Sequence, residues 1–180
     1  NLMTTVRSVH KVVKTQIIND RGIHICKSMV AWKKFANGAT PKSENIKGDK
    51  FVGNYYIMFD KVHKEQTKEL IDSGMDKNNV SENTEIMKLA KLELVNWEKN
   101  DKETREIWKM MNDWVYKGFD KTYDLLGVSF DKNYYESETY LLGKNIMEEG
   151  IKKNILYKRE DSSVWINLDN EGLDEKLLLR

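Results

Sequence analysis

Four residues at the end of the first predicted strand have the types and the position expected of a ligand site. Asn19-Asp20-Arg21-Gly22 follows a β-branched stretch, residues 12–19, that predicts a strand ending in a tight turn before a helix. The carboxyl ends of strands are where α/β sheets bind ligands. Asn19 and Asp20 are also residue types that cap helices. Ligand binding and plain helix capping therefore both remain open from the residues alone.

Paired carboxylates elsewhere have the residue types needed for acid/base chemistry. Glu136 and Glu138 flank Ser137, which is predicted to cap a helix, and negative charge stabilises a helix N-terminus. Glu148 and Glu149 are expected to be solvated. Stabilisation of the helix N-terminus for the first pair, and solvation for the second, are simpler interpretations than acid/base chemistry.

Metal ligation is not predicted. His24 and Cys26 are close in sequence, but residues two apart on a helix point about 200° away from each other and do not chelate one ion together. Cys26, the only cysteine, is expected to be buried as a small apolar residue, and it excludes an internal disulfide. His10 and His63 have no partner at ligand spacing and are expected to be surface histidines.

A lysine-rich stretch, residues 33–50, is a candidate contact for a phosphate backbone. Its charges come to +3, from Lys33, Lys34, Lys42, Lys47 and Lys50 against Glu44 and Asp49. Trp32 or Phe35 would supply a stacking surface for a base. A plain exposed loop is the alternative interpretation.

The overall composition limits the class of protein. The 180 residues are 33% charged and 39% hydrophobic with a formal net charge of +1, which is typical of a globular domain rather than of a polycation that coats nucleic acid. No apolar run approaches the roughly 20 residues of a membrane span, and the N-terminus lacks the apolar core of a signal peptide. Glycine-rich phosphate loops and the G-x-S-x-G nucleophile motif do not occur.

Hydrophobic periodicity predicts a helix-rich α/β chain with a hairpin near its end. A loop is predicted over 37–54, which contains the only proline. The predicted helices are 25–36, 62–74, 81–97, 101–127 (capped by Asn100 or Asp101 and ended by Gly127) and 137–150. Two strands, 155–157 and 163–168, are predicted to pair as an antiparallel hairpin, and 177–179 is a possible third strand.

Long runs of this sequence resemble bacterial arginyl-tRNA synthetases, in the same order along the chain. The similar runs include Ile17-Ile18-Asn19-Asp20-Arg21-Gly22-Ile23-His24-Ile25-Cys26-Lys27-Ser28-Met29, Gly48-Asp49-Lys50, Met111-Asn112, Trp114-Val115-Tyr116, Gly118-Phe119-Asp120, Tyr134-Tyr135-Glu136-Ser137-Glu138-Thr139-Tyr140-Leu141-Leu142-Gly143-Lys144, Ser163-Val164-Trp165 and Gly172-Leu173-Asp174-Glu175-Lys176. The resemblance extends from about Val12 to the end, whereas the first eleven residues fit poorly.

The resemblance implies an internal fragment of a class I aminoacyl-tRNA synthetase, with part of its Rossmann-type catalytic domain and its connective insertion. Residues 1–38 would be the end of the first Rossmann half. Residues 39–180 would be the insertion, helical over 60–150 with a β-hairpin over 155–180. The family's HIGH signature is expected before residue 1, and its second nucleotide-binding half after Arg180.

The family activates arginine with ATP and Mg²⁺ to arginyl-adenylate and transfers it to arginine tRNA in the cytoplasm. By resemblance, Asn19, Asp20 and Gly22 are candidates to face the substrate cleft, and Tyr135, Glu136 and Ser137 to border the path of the tRNA end. No catalytic or metal-binding residue is predicted in this fragment, which is expected to be monomeric, inactive alone and without bound cofactor or membrane contact. A stand-alone tRNA-binding or regulatory module and a degenerate paralogue are the alternatives.

Overall fold

A computed structural model describes residues 11–179 of the chain, so His10 and Arg180 lie outside the description. In chain order the elements are β1 (Thr15–Ile18), α1 (Ile23–Phe35), α2 (Gly48–Asp72), α3 (Lys77–Asn83), α4 (Glu85–Glu98), α5 (Lys102–Leu126), β2 (Lys132–Tyr135), α6 (Glu136–Lys152), β3 (Leu156–Lys158), β4 (Val164–Ile166), a 3-10 turn (Asp169–Glu171) and β5 (Lys176–Leu179). A helix-rich α/β chain was predicted, and this is confirmed; its described sheets are small, with two and three strands.

Two helices begin at side-chain caps that satisfy free backbone amides. The Asp101 carboxylate accepts a hydrogen bond from Thr104 N at 2.9 Å and begins α5, as predicted. Thr84 caps α4 through Met87 N at 3.4 Å. Helix α5 ends at Gly127, whose φ of 64° lies in the left-handed region that glycine adopts without strain.

The loop predicted over 37–54 is wrong in its second half. Helix α2 begins at Gly48 and continues unbroken to Asp72, so the helical part begins before residue 60. Phe51, Val52 and Phe59 are the buried residues of this helix, and their packing outweighs the local glycine content. Glycine and proline dominated the prediction because they usually mark loops.

A short strand was missed between the two last predicted helices. Lys132–Tyr135 forms β2, which pairs in parallel with β1 from Thr15 opposite Lys132 to Ile18 opposite Tyr135. Its polar sequence has no apolar alternation, so periodicity did not indicate a strand. The apolar stretch 128–130 that precedes it is not a strand.

The apolar core lies among the first five helices, in two clusters on either side of α1. Val30 and Ala31 pack in one cluster with residues of α2 and α4, which are Phe59, Ile86, Met87 and Ala90. Met29 packs in the other with Phe51, Val52 and Met111 of α2 and α5. Helix α1 is therefore the central element of the helical part.

The end of the chain forms the predicted antiparallel hairpin. β3 pairs with β4 from Leu156 opposite Ile166 to Lys158 opposite Val164. β4 also pairs antiparallel with β5, which confirms the third strand. No helix within residues 11–179 combines the length and the apolar character needed to cross a membrane.

Candidate functional site

Asp20, at the carboxyl end of β1, is the centre of a hydrogen-bond network that joins three elements. The residue is only 3% exposed. Its backbone carbonyl accepts hydrogen bonds from Trp108 Nε1 at 2.6 Å and from Asn112 Nδ2 at 3.2 Å, both on α5. The turn after β1 is thereby held against one face of α5.

The carboxylate of Asp20 binds the N-terminus of α6. Oδ1 accepts from Ser137 N at 2.8 Å, and Oδ2 accepts from Ser137 Oγ at 2.6 Å. Tyr135 occupies the N-cap position and makes no side-chain cap bond, so the predicted cap by Ser137 is wrong. Asp20 instead supplies the capping carboxylate from a distant part of the chain, where its negative charge also complements the helix dipole.

Tyr116 completes the set of donors around this carboxylate. Its hydroxyl donates to Asp20 Oδ2 at 2.9 Å, and its ring lies 5.2 Å from that of Tyr135. Burial raises the pKa of the Tyr116 hydroxyl far above its ordinary value, and the hydrogen bond to Asp20 raises it further. Tyr116 is therefore a neutral donor here and not a base.

Asn19 and Glu136 connect the same two chain segments at the surface. In the amide orientation that satisfies both acceptors, the Asn19 nitrogen donates to Glu136 Oε2 at 2.7 Å and to Arg21 O at 2.8 Å. Gly22 follows at φ 105°, a backbone conformation that L side chains rarely adopt, and α1 begins immediately after it.

The two groups of candidate residues, predicted separately, meet in one site. Asp20 contacts Ser137 directly, and Asn19 contacts Glu136. Sequence reasoning missed the three contributors from α5, which are Trp108, Asn112 and Tyr116. Their four-residue spacing on one helix face was the available signal, but nothing in that spacing identified Asp20 as their partner.

Arg21 points away from this network into an aromatic cluster. Its guanidinium carbon lies 3.9 Å from the centre of the Tyr140 ring, and Nη2 donates to Glu98 Oε1 at 2.8 Å. On the other side of the cluster the Arg105 guanidinium lies 3.5 Å from the centre of the Trp97 ring. These cation–π contacts hold α4, α5 and α6 against the turn after β1.

The arrangement is suited to positioning and offers little for proton transfer. Both carboxylate oxygens of Asp20 accept hydrogen bonds from protein donors. Within the described part of the chain, no group of three His, Cys, Asp or Glu side chains is arranged to hold a metal ion. Burial raises the pKa of the Cys26 thiol to about 12, which keeps it protonated and unreactive, as expected for a buried cysteine.

Two other predictions are changed by the structure. His63 was expected to be a lone surface histidine; it is partly exposed, but Nδ1 lies 2.8 Å from Thr84 Oγ1 and Nε2 lies 3.2 Å from Ser81 Oγ. The lysine-rich stretch divides, since Lys33 pairs with Glu93 and Lys34 with Glu85, both at 2.7 Å. Among its later lysines, Lys47 pairs with Asp49, whereas Lys42 and Lys50 form no ion pair in the described residues.

No protein-family model matches the chain, but curated proteins do. The arginine–tRNA ligase of Bacteroides thetaiotaomicron is 56% identical over 171 residues, which are 95% of this chain and 29% of that protein. The arginine–tRNA ligase of Parabacteroides distasonis is 53% identical over the same shares, and that of Flavobacterium psychrophilum is 50% identical over 94% of the chain.

These relatives are all aminoacyl-tRNA ligases. Within that class, the chain is similar to a segment of the arginine–tRNA ligases, which confirms the resemblance noted in the sequence. It spans about 29% of the length of the relatives it matches.

Proposed function

We propose that this chain works as part of an arginine–tRNA ligase. Such an enzyme activates arginine with ATP to arginyl-adenylate, releases pyrophosphate and then esterifies the terminal adenosine of arginine tRNA. The observation that carries the proposal is the 56% identity to one such ligase over 95% of the chain. Cytoplasmic location and use of ATP, arginine and arginine tRNA follow from the same assignment.

The fold assignment belongs to the same proposal. Residues up to about 38 would be the end of the first Rossmann half, and residues 39–180 the connective insertion. The helix that directly follows β1 supports a Rossmann-type strand–helix unit. The parallel pairing of β1 with β2 joins Lys132–Tyr135, which falls within the proposed insertion, to the same sheet. The helices from Gly48 to Leu126 and the hairpin would then form the insertion that guides the tRNA end.

The role proposed for the Asp20 network is to fix geometry around the reacting groups. Adenylate formation is an in-line attack of a carboxylate on a phosphate, and its rate depends on positioning and on stabilising charge. Asp20, Asn19 and Gly22 would be positioning residues that hold the turn at the end of β1. Tyr135, Glu136 and Ser137, held by that turn, would border the tRNA end.

The family uses Mg²⁺, but the described residues do not provide a set of ligands for this ion. No cluster of three acidic, histidine or cysteine side chains is arranged for it between residues 11 and 179. When bound with ATP, the ion would neutralise phosphate charge during adenylate formation. No residue of this chain is therefore given a role that depends on the ion.

A segment exchange tests the proposed function. Residues 12–179 of this chain would replace the matching segment of the Bacteroides thetaiotaomicron ligase, and arginylation of arginine tRNA would be measured. We expect arginylation by the chimera, and little or none when the same chimera carries Asp20→Ala. A folded chimera without any arginylation would contradict the proposal, and binding of tRNA without arginylation would favour a stand-alone tRNA-binding module.

A further inference from the structure

A positively charged groove lies between the segment before α2 and the second half of α5, and its lining shares no residue with the Asp20 network. It has a volume of about 540 Å³. Its lining, here called the basic groove, includes four lysines and no acidic residue: Lys42, Lys47, Lys117 and Lys121. In a chain whose net charge is only +1, this is a local concentration of one sign of charge.

Three of the four lysines pair with no carboxylate among residues 11–179. Within the described part of the chain, Lys42, Lys117 and Lys121 form no ion pair, whereas many other surface lysines do. Lys117 and Lys121 are four residues apart on α5, where two like charges repel and destabilise the helix slightly. A bound polyanion would attract both lysines and offset their mutual repulsion.

The fourth lysine is held in place by its neighbours. Lys47 Nζ donates to Asp49 Oδ2 at 2.9 Å and to Thr122 Oγ1 on α5. The first backbone amides of α2, at the positive end of the helix dipole, follow directly after Lys47, which makes no side-chain cap bond. The helix N-terminus adds partial positive charge to this side of the groove, whereas Asp49 fixes the position of Lys47 and offsets part of its charge.

The wall of the groove depends on a close approach of two helices. A Cβ at Gly48 would lie only 2.0 Å from the backbone oxygen of Trp114, and a Cβ at Gly118 only 2.5 Å from Asp49 Oδ1. Glycine at both positions lets the start of α2 contact α5, which brings Lys47 to the same side as Lys117 and Lys121.

We propose that the basic groove binds phosphate groups of the tRNA backbone, an inference that rests on the proposed function and adds a contact site to it. Lysine is a flexible point charge that suits phosphodiester oxygens without reading sequence. The open groove and its spread of four lysines fit a chain of phosphates better than a single enclosed anion. The site would position tRNA and not select among tRNAs.

Salt-dependent binding tests the inference directly. Labelled arginine tRNA would be titrated with the 180-residue chain between 50 and 200 mM salt, using the double variant Lys117→Gln/Lys121→Gln. The matched control, Lys61→Gln/Lys68→Gln, removes two exposed lysines of α2 that form no ion pair in the described residues. Circular dichroism would verify that each variant is folded.

We expect the groove variant to bind more weakly at low salt and to lose about two units of the slope of log K against log salt. Its loss of affinity relative to wild type should shrink about tenfold between the two salt concentrations. The control variant should keep the wild-type slope. Equal effects of the two variants, or no tRNA binding by the wild-type chain at 50 mM salt, would overturn the inference.

Two further arms separate this inference from other outcomes. In the first, binding of polyglutamate to the wild-type chain and to the groove variant would be measured. If the variant weakened polyglutamate binding as strongly as tRNA binding, the groove would bind any polyanion and the assignment to tRNA would be wrong. In the chimera, the groove variant should raise the KM for tRNA and leave the KM for arginine unchanged. If the groove variant left arginylation unchanged, the inference that the groove binds tRNA would be overturned, and the proposed function would still stand.

Discussion

The helical part of the molecule, α1 to α5, and the strand part, formed by β1, β2 and α6, are held together by different interactions. Both apolar clusters lie in the helical part, with Phe59 and Met111 almost completely buried. Helix α6 buries no residue, and its Leu142 and Ile146 are 65% and 68% exposed. The strand part is joined to the helical part by the hydrogen bonds of Asp20 and by the cation–π contact of Arg21 with Tyr140 and its hydrogen bond to Glu98.

This difference shows that one short chain combines a well-buried apolar core with a region positioned by a few polar contacts. Burial of apolar surface is non-directional and supplies most of the free energy of folding. Hydrogen bonds contribute less but are directional, so they fix the orientation of α6 relative to β1. Local opening should therefore require less free energy in the strand part than in the helical part.

The largest expected effect comes from matched truncations in the two parts. Phe59→Ala should lower the free energy of unfolding by about 3–5 kcal/mol, because it leaves a cavity in the helical core. Leu142→Ala should change it by less than about 0.5 kcal/mol, because most of that side chain is already exposed. Urea denaturation of both variants measures the contrast, and similar losses would contradict it.

A smaller but more selective effect is expected from Asp20→Ala. The substitution removes the acceptors of Ser137 N, Ser137 Oγ and Tyr116 OH, at a cost of about 3 kcal/mol. Hydrogen exchange should become faster in β2 and α6 while the amides of α1 and α2 stay protected.

Tyr116→Phe is the control for this change, since it removes one donor and leaves the other two bonds of the Asp20 carboxylate in place. It should cost about 1 kcal/mol and leave α6 protected. Loss of protection throughout the helical part in Asp20→Ala would show that the two parts do not open separately.

The helical part was more predictable from sequence than the strand part. Helix α5 follows the four-residue apolar spacing, and both its ends were anticipated because Asp101 and Gly127 are local signals. Helix α2 was only half predicted, because Gly48 at its start serves a tertiary contact with α5 that local propensity does not describe.

The Asp20 site illustrates why the remainder was not predictable. Asp20 and Ser137 were both singled out, yet their hydrogen bond joins residues 117 positions apart in the chain. The local sequence at the start of a helix does not show whether the capping group comes from the helix's own residues or from a distant part of the chain. The residue types of the segment after β1 indicated that it could carry chemistry, but only the fold identified Ser137 as the partner of Asp20.

Glycine substitutions in the helical part and the strand part should change the stability of the protein by intermediate amounts and in opposite directions. Gly118→Ala should destabilise the protein by about 1–3 kcal/mol, because the new Cβ would lie 2.7 Å from the backbone nitrogen of Asp49. Gly143→Ala on α6 meets no atom within 4 Å and should stabilise the protein by roughly 0.5–1 kcal/mol through helix propensity. Thermal denaturation gives both signs, and stabilisation by Gly118→Ala would contradict the close approach of α2 and α5.

The smallest expected effect is a pH dependence confined to the helical part. Burial lowers the pKa of His63 below its ordinary value of 6.5, and the positive charge of Lys27 lowers it further. The unfolded chain then binds more protons than the folded one, so stability should be complete above about pH 7 and should fall as the pH drops through 6.5 towards the folded pKa. His63→Gln, which keeps a polar partner for Thr84, should remove this dependence. Denaturation midpoints between pH 5 and 8 test the prediction, and a profile unchanged by His63→Gln would assign the dependence to other groups.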